Sequence, residues 1–336
     1  MTPDTTYIVT DCMDVDGLFS AVILNRALQA SGTRIVNLPT RVADLTTRYT
    51  KLFTGDQQPG RVIVADLAHN TSINSLEGLL ANATHRGFSI EVYDEHAFQV
   101  DGPTRQYFST VHIEDGKASA KIVQEVFAPQ DAISAAYAHL AQLADFPPPQ
   151  AHPLESILDD LADLIVGIRH VNTKITFCDL IAHYAKETSL LTPEFQTICF
   201  KYRLKKADAE LRTRGSVVVY YLFKKSDRVP LAIGYAESIL YMKPGIRAVH
   251  EQGSTPFAAA VFDDGKIVFS ARHSQEPQNT ALAAVDCSVL GKTYNGGGRF
   301  DGGGGSIPDE NVSQEKFNDV ALALKEKVKR LFDLNE

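Results

Sequence analysis

Three short apolar runs near the start of the chain each end in an aspartate. Tyr7-Ile8-Val9-Thr10 leads into Asp11, with Asp14 and Asp16 close behind. Arg61-Val62-Ile63-Val64-Ala65 leads into Asp66. Ser89-Ile90-Glu91-Val92-Tyr93 leads into Asp94, followed by Glu95 and His96. Such runs read as strands, at Tyr7–Thr10, Arg61–Asp66 and Phe88–Asp94, with a fourth at Thr33–Leu38. Helical patterns alternate with them at Leu18–Ala30, Ser72–Ala83 and Lys117–Val126. This alternation predicts an α/β fold, a parallel sheet with helices on both faces. Ligands of such sheets bind beyond the C-terminal strand ends, the edge to which these aspartates are delivered. Asp14 and Asp16 are two apart and share a side if the chain is extended. Clustered carboxylates hold hard divalent cations. Each aspartate alone is also an ordinary helix cap or turn residue; it is the repetition that argues for a shared metal site.

Composition narrows the partners. The chain has 336 residues, enough for two domains, and a net charge of −8. A protein that clamps long duplex DNA usually carries a basic balance, so long duplex DNA is not expected as a partner. A small anionic ligand held by a few local cations is compatible. No apolar run approaches the roughly 18 residues of a membrane helix, and the first residues lack the features of a secretory signal. No membrane partner and a cytoplasmic location are expected. The cysteines, Cys12, Cys178, Cys199 and Cys287, are scattered, which argues against a disulfide framework or a zinc site of the usual spacing.

Further along, Ile133–Asp145 reads as a helix ending at Pro147-Pro148-Pro149. Asp145 is either a fourth acid brought to the site or a polar helix end. The next helix carries Glu155, Asp159, Asp160 and Asp163 as one stripe, read as a solvated face. Thr192–Arg214 reads as a basic helical connector, balanced by Asp208 and Glu210. A second, smaller α+β domain follows. Its expected strands are Ser216–Phe223, Leu231–Gly234, Phe257–Phe262 and Lys266–Ser270, the last two joined by an Asp-Gly turn. Helices are expected at Tyr235–Met242, Thr280–Leu290 and Gln314–Leu334. The boundaries read as 1–190, a linker at 191–214, and 215–336, with a cleft between the domains.

Residues 296–305 hold seven glycines around Arg299. The stretch is either a flexible linker or a nest whose N–H groups, with the Arg fork, bind phosphate. It is neither a P-loop nor a dinucleotide fingerprint, since G-K-[ST] does not follow and it opens no helix after a first strand.

Taken together these residues resemble the DHH phosphoesterase family. Asp14-Val15-Asp16-Gly17 is similar to its D-x-D-G motif, Asp66 to its strand-ending aspartate, and Asp94-Glu95-His96 to its Asp-His-His. Asp145 matches its fourth motif. Ser270-Ala271-Arg272-His273-Ser274 resembles the S-x-R-S signature of the associated domain, and Gly296-Gly297-Gly298-Arg299 its G-G-G-H. The resemblance covers essentially the whole chain, in order. It implies two Mn²⁺ ions, with Mg²⁺ or Co²⁺ as substitutes, and hydrolysis of a phosphate ester or anhydride. Asp14, Asp16, Asp66 and Asp145 become ligands, Asp66 bridging and catalytic, and His96 contacts the scissile phosphate. Arg272, Arg299 and the backbone of Gly296, Gly297 and Gly298 would hold the far phosphate or nucleotide.

Two departures stand out. The family's His before the D-x-D falls on Thr10 or Cys12, so Asp11, one position out of register, is the candidate substitute. Glu95 replaces a metal-binding His, and its carboxylate is a competent ligand. The implied substrates are short oligonucleotides or small nucleotides. Polyphosphate or pyrophosphate hydrolysis, and a nucleotide-binding relative weakened in catalysis, are the alternatives. A homodimer is compatible with the sequence.

Overall fold

The computed structural model describes residues 5–148, 150, 152–224, 227–236, 242–273, 278–294, 296–298, 300, 302–307 and 312–335. The chain forms two compact units, Met1–Tyr202 and Arg203–Glu336. The first contains β1 (Thr5–Thr10), α1 (Val15–Gln29), β2 (Arg34–Asn37), α2 (Leu45–Thr54) and β3 (Arg61–Ala65). A 3-10 turn (Thr71–Leu76) then leads into α3 (Glu77–His85), β4 (Ser89–Asp94), α4 (Gly102–Arg105) and β5 (Thr110–Ile113). Four helices follow: α5 (Ser119–Phe127), α6 (Ala132–Asp145), α7 (Glu155–His170) and α8 (Phe177–Lys186). The next helix, α9 (Pro193–Gly215), runs through the division between the units.

The five strands form one parallel sheet in the order β2-β1-β3-β4-β5. The order reverses between β1 and β3; in sheets of this kind ligands bind at such a switch point, outside the C-terminal strand ends. Side chains alternate across the sheet. Tyr7, Val9, Val62, Val64, Ile90 and Val92 face Leu45, Tyr49, Leu52 and Phe53 of α2 and Leu80 and Ala83 of α3. The opposite face is covered by α1 and α5. Every residue of α1 from Val15 to Asn25 is buried, because α5, α6 and α8 surround it as well as the sheet. A helix apolar on nearly all sides needs such a place. Gly17 makes the preceding turn close: a Cβ there would lie 2.2 Å from the Asp11 carbonyl oxygen.

The second unit is a six-stranded mixed sheet, β10-β11-β9-β8-β7-β6. Its strands are β6 (Val218–Lys224), β7 (Asp227–Ala236), β8 (Phe257–Phe262), β9 (Lys266–Ala271), β10 (Gly297–Gly298) and β11 (Gly302–Ser306). Its helices are α10 (Met242–Gly253), α11 (Thr280–Ala283), α12 (Cys287–Thr293) and α13 (Phe317–Phe332). Only the β7–β8 pair is parallel, and α10 makes that crossover. Ala232, Ala258, Ala260 and Phe262 pack with Val249 of α10 on one face. Leu231, Ile233, Phe257, Val261 and Phe269 pack on the other with Leu282, Leu290, Leu324 and Val328. Among the described residues no helix is long and apolar enough to cross a membrane, and all four cysteines are free.

Several expectations need correction. Tyr235 and Ala236 are not helical; they pair with Val261 and Phe262 as the end of β7. Residues 237–241 of that expected helix lie outside the described residues, and the helix present begins at Met242. Thr280–Leu290 is two short helices, because Asp286 caps a new one with its carboxylate on the Ser288 and Val289 N–H groups. Asp163 is buried, not part of a solvated face. The helices α2 and α8 and the strand β5 were not anticipated.

Candidate metal centre

The acids named from the sequence converge at the switch point. Asp11 follows β1, Asp14 caps α1 by accepting from Gly17 N–H at 3.1 Å, and Asp16 lies in that helix's first turn. Asp66 follows β3, Asp94 ends β4, and Asp145 ends α6. Three groups of ligand atoms lie within 4.8 Å of one another: Asp11, Asp14 and Asp66; Asp16, Asp66, Glu95 and Asp145; and Asp66, Asp94, Glu95 and His96. Asp66 belongs to all three.

Asp66 is the least satisfied of them. It is buried, its φ is 56°, and its Oδ2 has no hydrogen-bond partner. A left-handed conformation is uncommon outside glycine, though Asp tolerates it. Burial, then the charges of Asp14, Asp16, Glu95 and Asp11, push its carboxyl well above the usual range. Burial and the nearby Asp145 and Glu95 do the same to Asp16. Burial and Asp14 raise Asp11 to about 7, against the pull of the Cys12 and Met13 N–H groups and Arg169. Asp145 sits at an exposed helix end, yet desolvation where it faces the cluster, with Asp14 and Glu95, raises it to about 6.

The remaining contacts hold the cluster in place. Asp11 Oδ1 accepts from Cys12 N–H at 2.6 Å and Met13 N–H at 3.1 Å, and Arg169 reaches the Cys12 carbonyl. Asp94 joins two loops: Oδ2 accepts from Leu67 N–H at 2.8 Å and Oδ1 from His96 N–H at 3.0 Å. His96 Nδ1 lies 2.7 Å from Asp94 and 2.9 Å from Glu95. Hydrogen bonds to Asp94 and Glu95 raise His96 to about 10. Burial alone would raise Glu95, but hydrogen bonds from His96 and Ser119 bring it below its ordinary value. Buried His69 braces the loop after Asp66 between the Leu67 carbonyl at 2.8 Å and the Tyr49 hydroxyl at 2.7 Å.

A divalent cation fits this donor set. Seven carboxylates crowd one end of the sheet, and buried charge of one sign demands a counter-charge or protonation. Asp66, a member of all three groups, keeps a buried oxygen without a partner, which would complete a ligand shell. Oxygen donors suit hard ions such as Mg²⁺ and Mn²⁺. Neither of the first two groups contains an imidazole among the described residues, and Thr10 and Cys12 contribute none.

Sequence reasoning missed Ser119 and Ala120, whose N–H groups both bind Asp16 at 2.7 Å. A faint signal existed. Ala118 stands at the N-cap of α5 without a side-chain acceptor, so the free N–H groups of that helix need an outside partner.

The C-terminal candidates lie in the other unit. Arg272 follows β9 and is half-buried, its N–H bonded to the Pro256 carbonyl at 2.6 Å. Burial, and secondarily the Arg272 charge, lower the pKa of buried His250. His273 stacks on Phe300 with ring centroids 4.3 Å apart. Gly297 and Gly298 pair with Gly304 and Gly303, and Gly302–Ser306 pair with β9. Apart from Gly296, the described glycines of the stretch are therefore strand residues, and much of their backbone is committed to sheet hydrogen bonds. Gly296 N–H bonds the Gly291 carbonyl at 2.9 Å. Its lack of a side chain has a packing reason, since a Cβ there would lie 1.9 Å from the Gly304 carbonyl oxygen. Arg299 lies outside the described residues.

No family model matches the chain, and no curated protein matches it by sequence. Solved structures do. The chain is similar in fold to an exopolyphosphatase-related protein from Bacteroides fragilis, with a TM-score of 0.50 at 11% identity over 98% of this chain and 93% of that one. It is similar to the exonuclease RecJ bound to manganese, with a TM-score of 0.51 at 14% identity over 97% and 90%. It is also similar to CDC45 from Entamoeba histolytica, with a TM-score of 0.57 at 9% identity over 98% and 95%. At these identities the likeness is one of fold.

Proposed function

We propose that the chain is a DHH-type phosphoesterase that uses two divalent cations, Mn²⁺ foremost, to hydrolyse short oligonucleotides or small nucleotides. The observation that carries this reading is Asp66: a buried carboxylate with an unpartnered oxygen, common to every acid group at the switch point. Asp66 would be shared by both ions, with Asp11 and Asp14 on one side and Asp16, Glu95 and Asp145 on the other. When bound, such a pair of ions acidifies water and neutralises charge on phosphoryl oxygens. His96 would donate a proton-bearing ring nitrogen to a phosphoryl oxygen, kept charged by Asp94 and Glu95. In the other unit, Arg272, Arg299 and Gly296 to Gly298 are proposed to hold the distal phosphate or nucleotide. The RecJ likeness favours a nucleic-acid substrate, and the likeness to an exopolyphosphatase-related protein keeps polyphosphate as the second candidate.

The test is a hydrolysis panel with and without Mn²⁺: end-labelled two- to five-residue RNA, 3′-phosphoadenosine 5′-phosphate, a cyclic dinucleotide and polyphosphate. Mn²⁺-dependent cleavage of a nucleotide substrate is expected. Cleavage of polyphosphate alone would replace the substrate assignment. No cleavage by a protein that retains no cation would favour a nucleotide-binding relative, a reading motivated by the missing imidazoles at Thr10, Cys12 and Glu95.

A further inference from the structure

The first turn of α5 directs three donors at the acid cluster. Two are the Ser119 and Ala120 N–H groups on Asp16. The third is the Ser119 hydroxyl, which donates to Glu95 Oε2 at 2.5 Å. Ser119 is fully buried. It does not cap its own helix, whose N-cap position is Ala118.

Glu95 has reason to need such a partner. A glutamate side chain has three rotatable torsions, so an unrestrained one pays rotamer entropy when it coordinates an ion. In this chain Ser119 ties Glu95 Oε2 and His96 ties Oε1 at 2.9 Å. A carboxylate offers about four lone-pair sites over its two oxygens, so these contacts still leave room for a cation. The carboxylate therefore stays a competent ligand while its direction is fixed. An independent sign that a ligand belongs here is the buried, unpartnered Oδ2 of Asp66, in the same group of ligand atoms as Glu95.

We propose that Ser119 is a positioning residue of the metal centre: its hydroxyl orients Glu95 to share a hard divalent cation with Asp66, Asp16 and Asp145. The inference rests on the metal-centre reading above. Partners that orient metal ligands typically contribute about 10–100-fold to metal affinity, which sets the size of the effect.

The experiment is Mn²⁺ titration calorimetry on the full chain, comparing wild type, Ser119→Ala, Glu95→Gln and the double variant, with thermal unfolding of each metal-free protein alongside. Ser119→Ala should weaken Mn²⁺ binding by about 10–100-fold and leave metal-free unfolding close to wild type. In the Glu95→Gln background, removing the hydroxyl should add little, since its partner is already altered. Wild-type affinity in Ser119→Ala, or the same loss in both backgrounds, would overturn the assignment. Should Ser119→Ala fail to fold, Ser119→Cys, close in volume and a weaker donor, carries the same comparison. Absence of Mn²⁺ binding by the wild type would sink the metal centre itself, whereas unchanged binding by the variant of a wild type that does bind sinks only the role of Ser119.

Discussion

The acidic end of the first sheet and the glycine-rich edge of the second are both strongly biased in composition, and their chemistry differs. At the acidic end the protein leaves its own groups unsatisfied. Asp66 Oδ2 has no partner, its backbone is left-handed, and like charges push several carboxyls upward. At the glycine edge, strands β10, β11 and β9 pair in register and the missing side chains admit close backbone approach. A bias that packing already explains is not by itself a sign of a ligand, whereas a buried excess of charge of one sign calls for a counter-charge or protonation. The comparison teaches where to look for chemistry.

The sharpest way to break it is Asp66→Asn. The amide keeps the shape and tolerates the left-handed backbone but removes the shared charge. Turnover should fall on the order of 10³-fold, measured as kcat at saturating Mn²⁺, while the metal-free protein unfolds at a higher temperature than wild type. Unchanged turnover would mean that Asp66 is a strained structural residue only.

Gly296→Ala should act in the opposite way. Overpacking against the Gly304 carbonyl should cost about 1–3 kcal/mol, read by denaturant unfolding, with Mn²⁺ affinity unchanged. Arg272→Ala should raise KM about tenfold with little change in kcat, the pattern of lost uniform binding. A fall in kcat alone would place Arg272 in the chemistry instead.

The pH dependence sharpens the electrostatic half of the contrast. Folding raises Asp11 to about 7 and Asp145 to about 6 from 3.8. Between these values the folded chain binds more protons than the unfolded one, so stability falls as pH rises. The metal-free protein should therefore lose thermal stability from pH 5 to pH 8, and saturating Mn²⁺ should flatten or reverse the slope. A flat profile without metal would show that the cluster is solvated.

Much of the first unit was legible because its strands are short Val/Ile runs with acids at their ends, and period and punctuation agree. Strand β5 was not, since Thr110-Val111-His112-Ile113 mixes polarity and is only half-buried. Helix α2 was overlooked although Leu45, Tyr49, Leu52 and Phe53 carry the helical spacing. The acidic stripe on α7 misled because periodicity alone does not separate a solvated acid from a buried one such as Asp163. The convergence of Asp11, Asp14, Asp16, Asp66, Glu95 and Asp145 followed from topology, once the strand ends shared one edge. Ser119 did not, because its partner Glu95 is 24 residues away and nothing local announces the contact.

The most direct measurement is the number of Mn²⁺ ions bound per chain, by native mass spectrometry of wild type and Asp66→Asn. The account predicts two ions on the wild type and at most one, weakly held, on the variant. Two ions on both proteins, or none on the wild type, would contradict it.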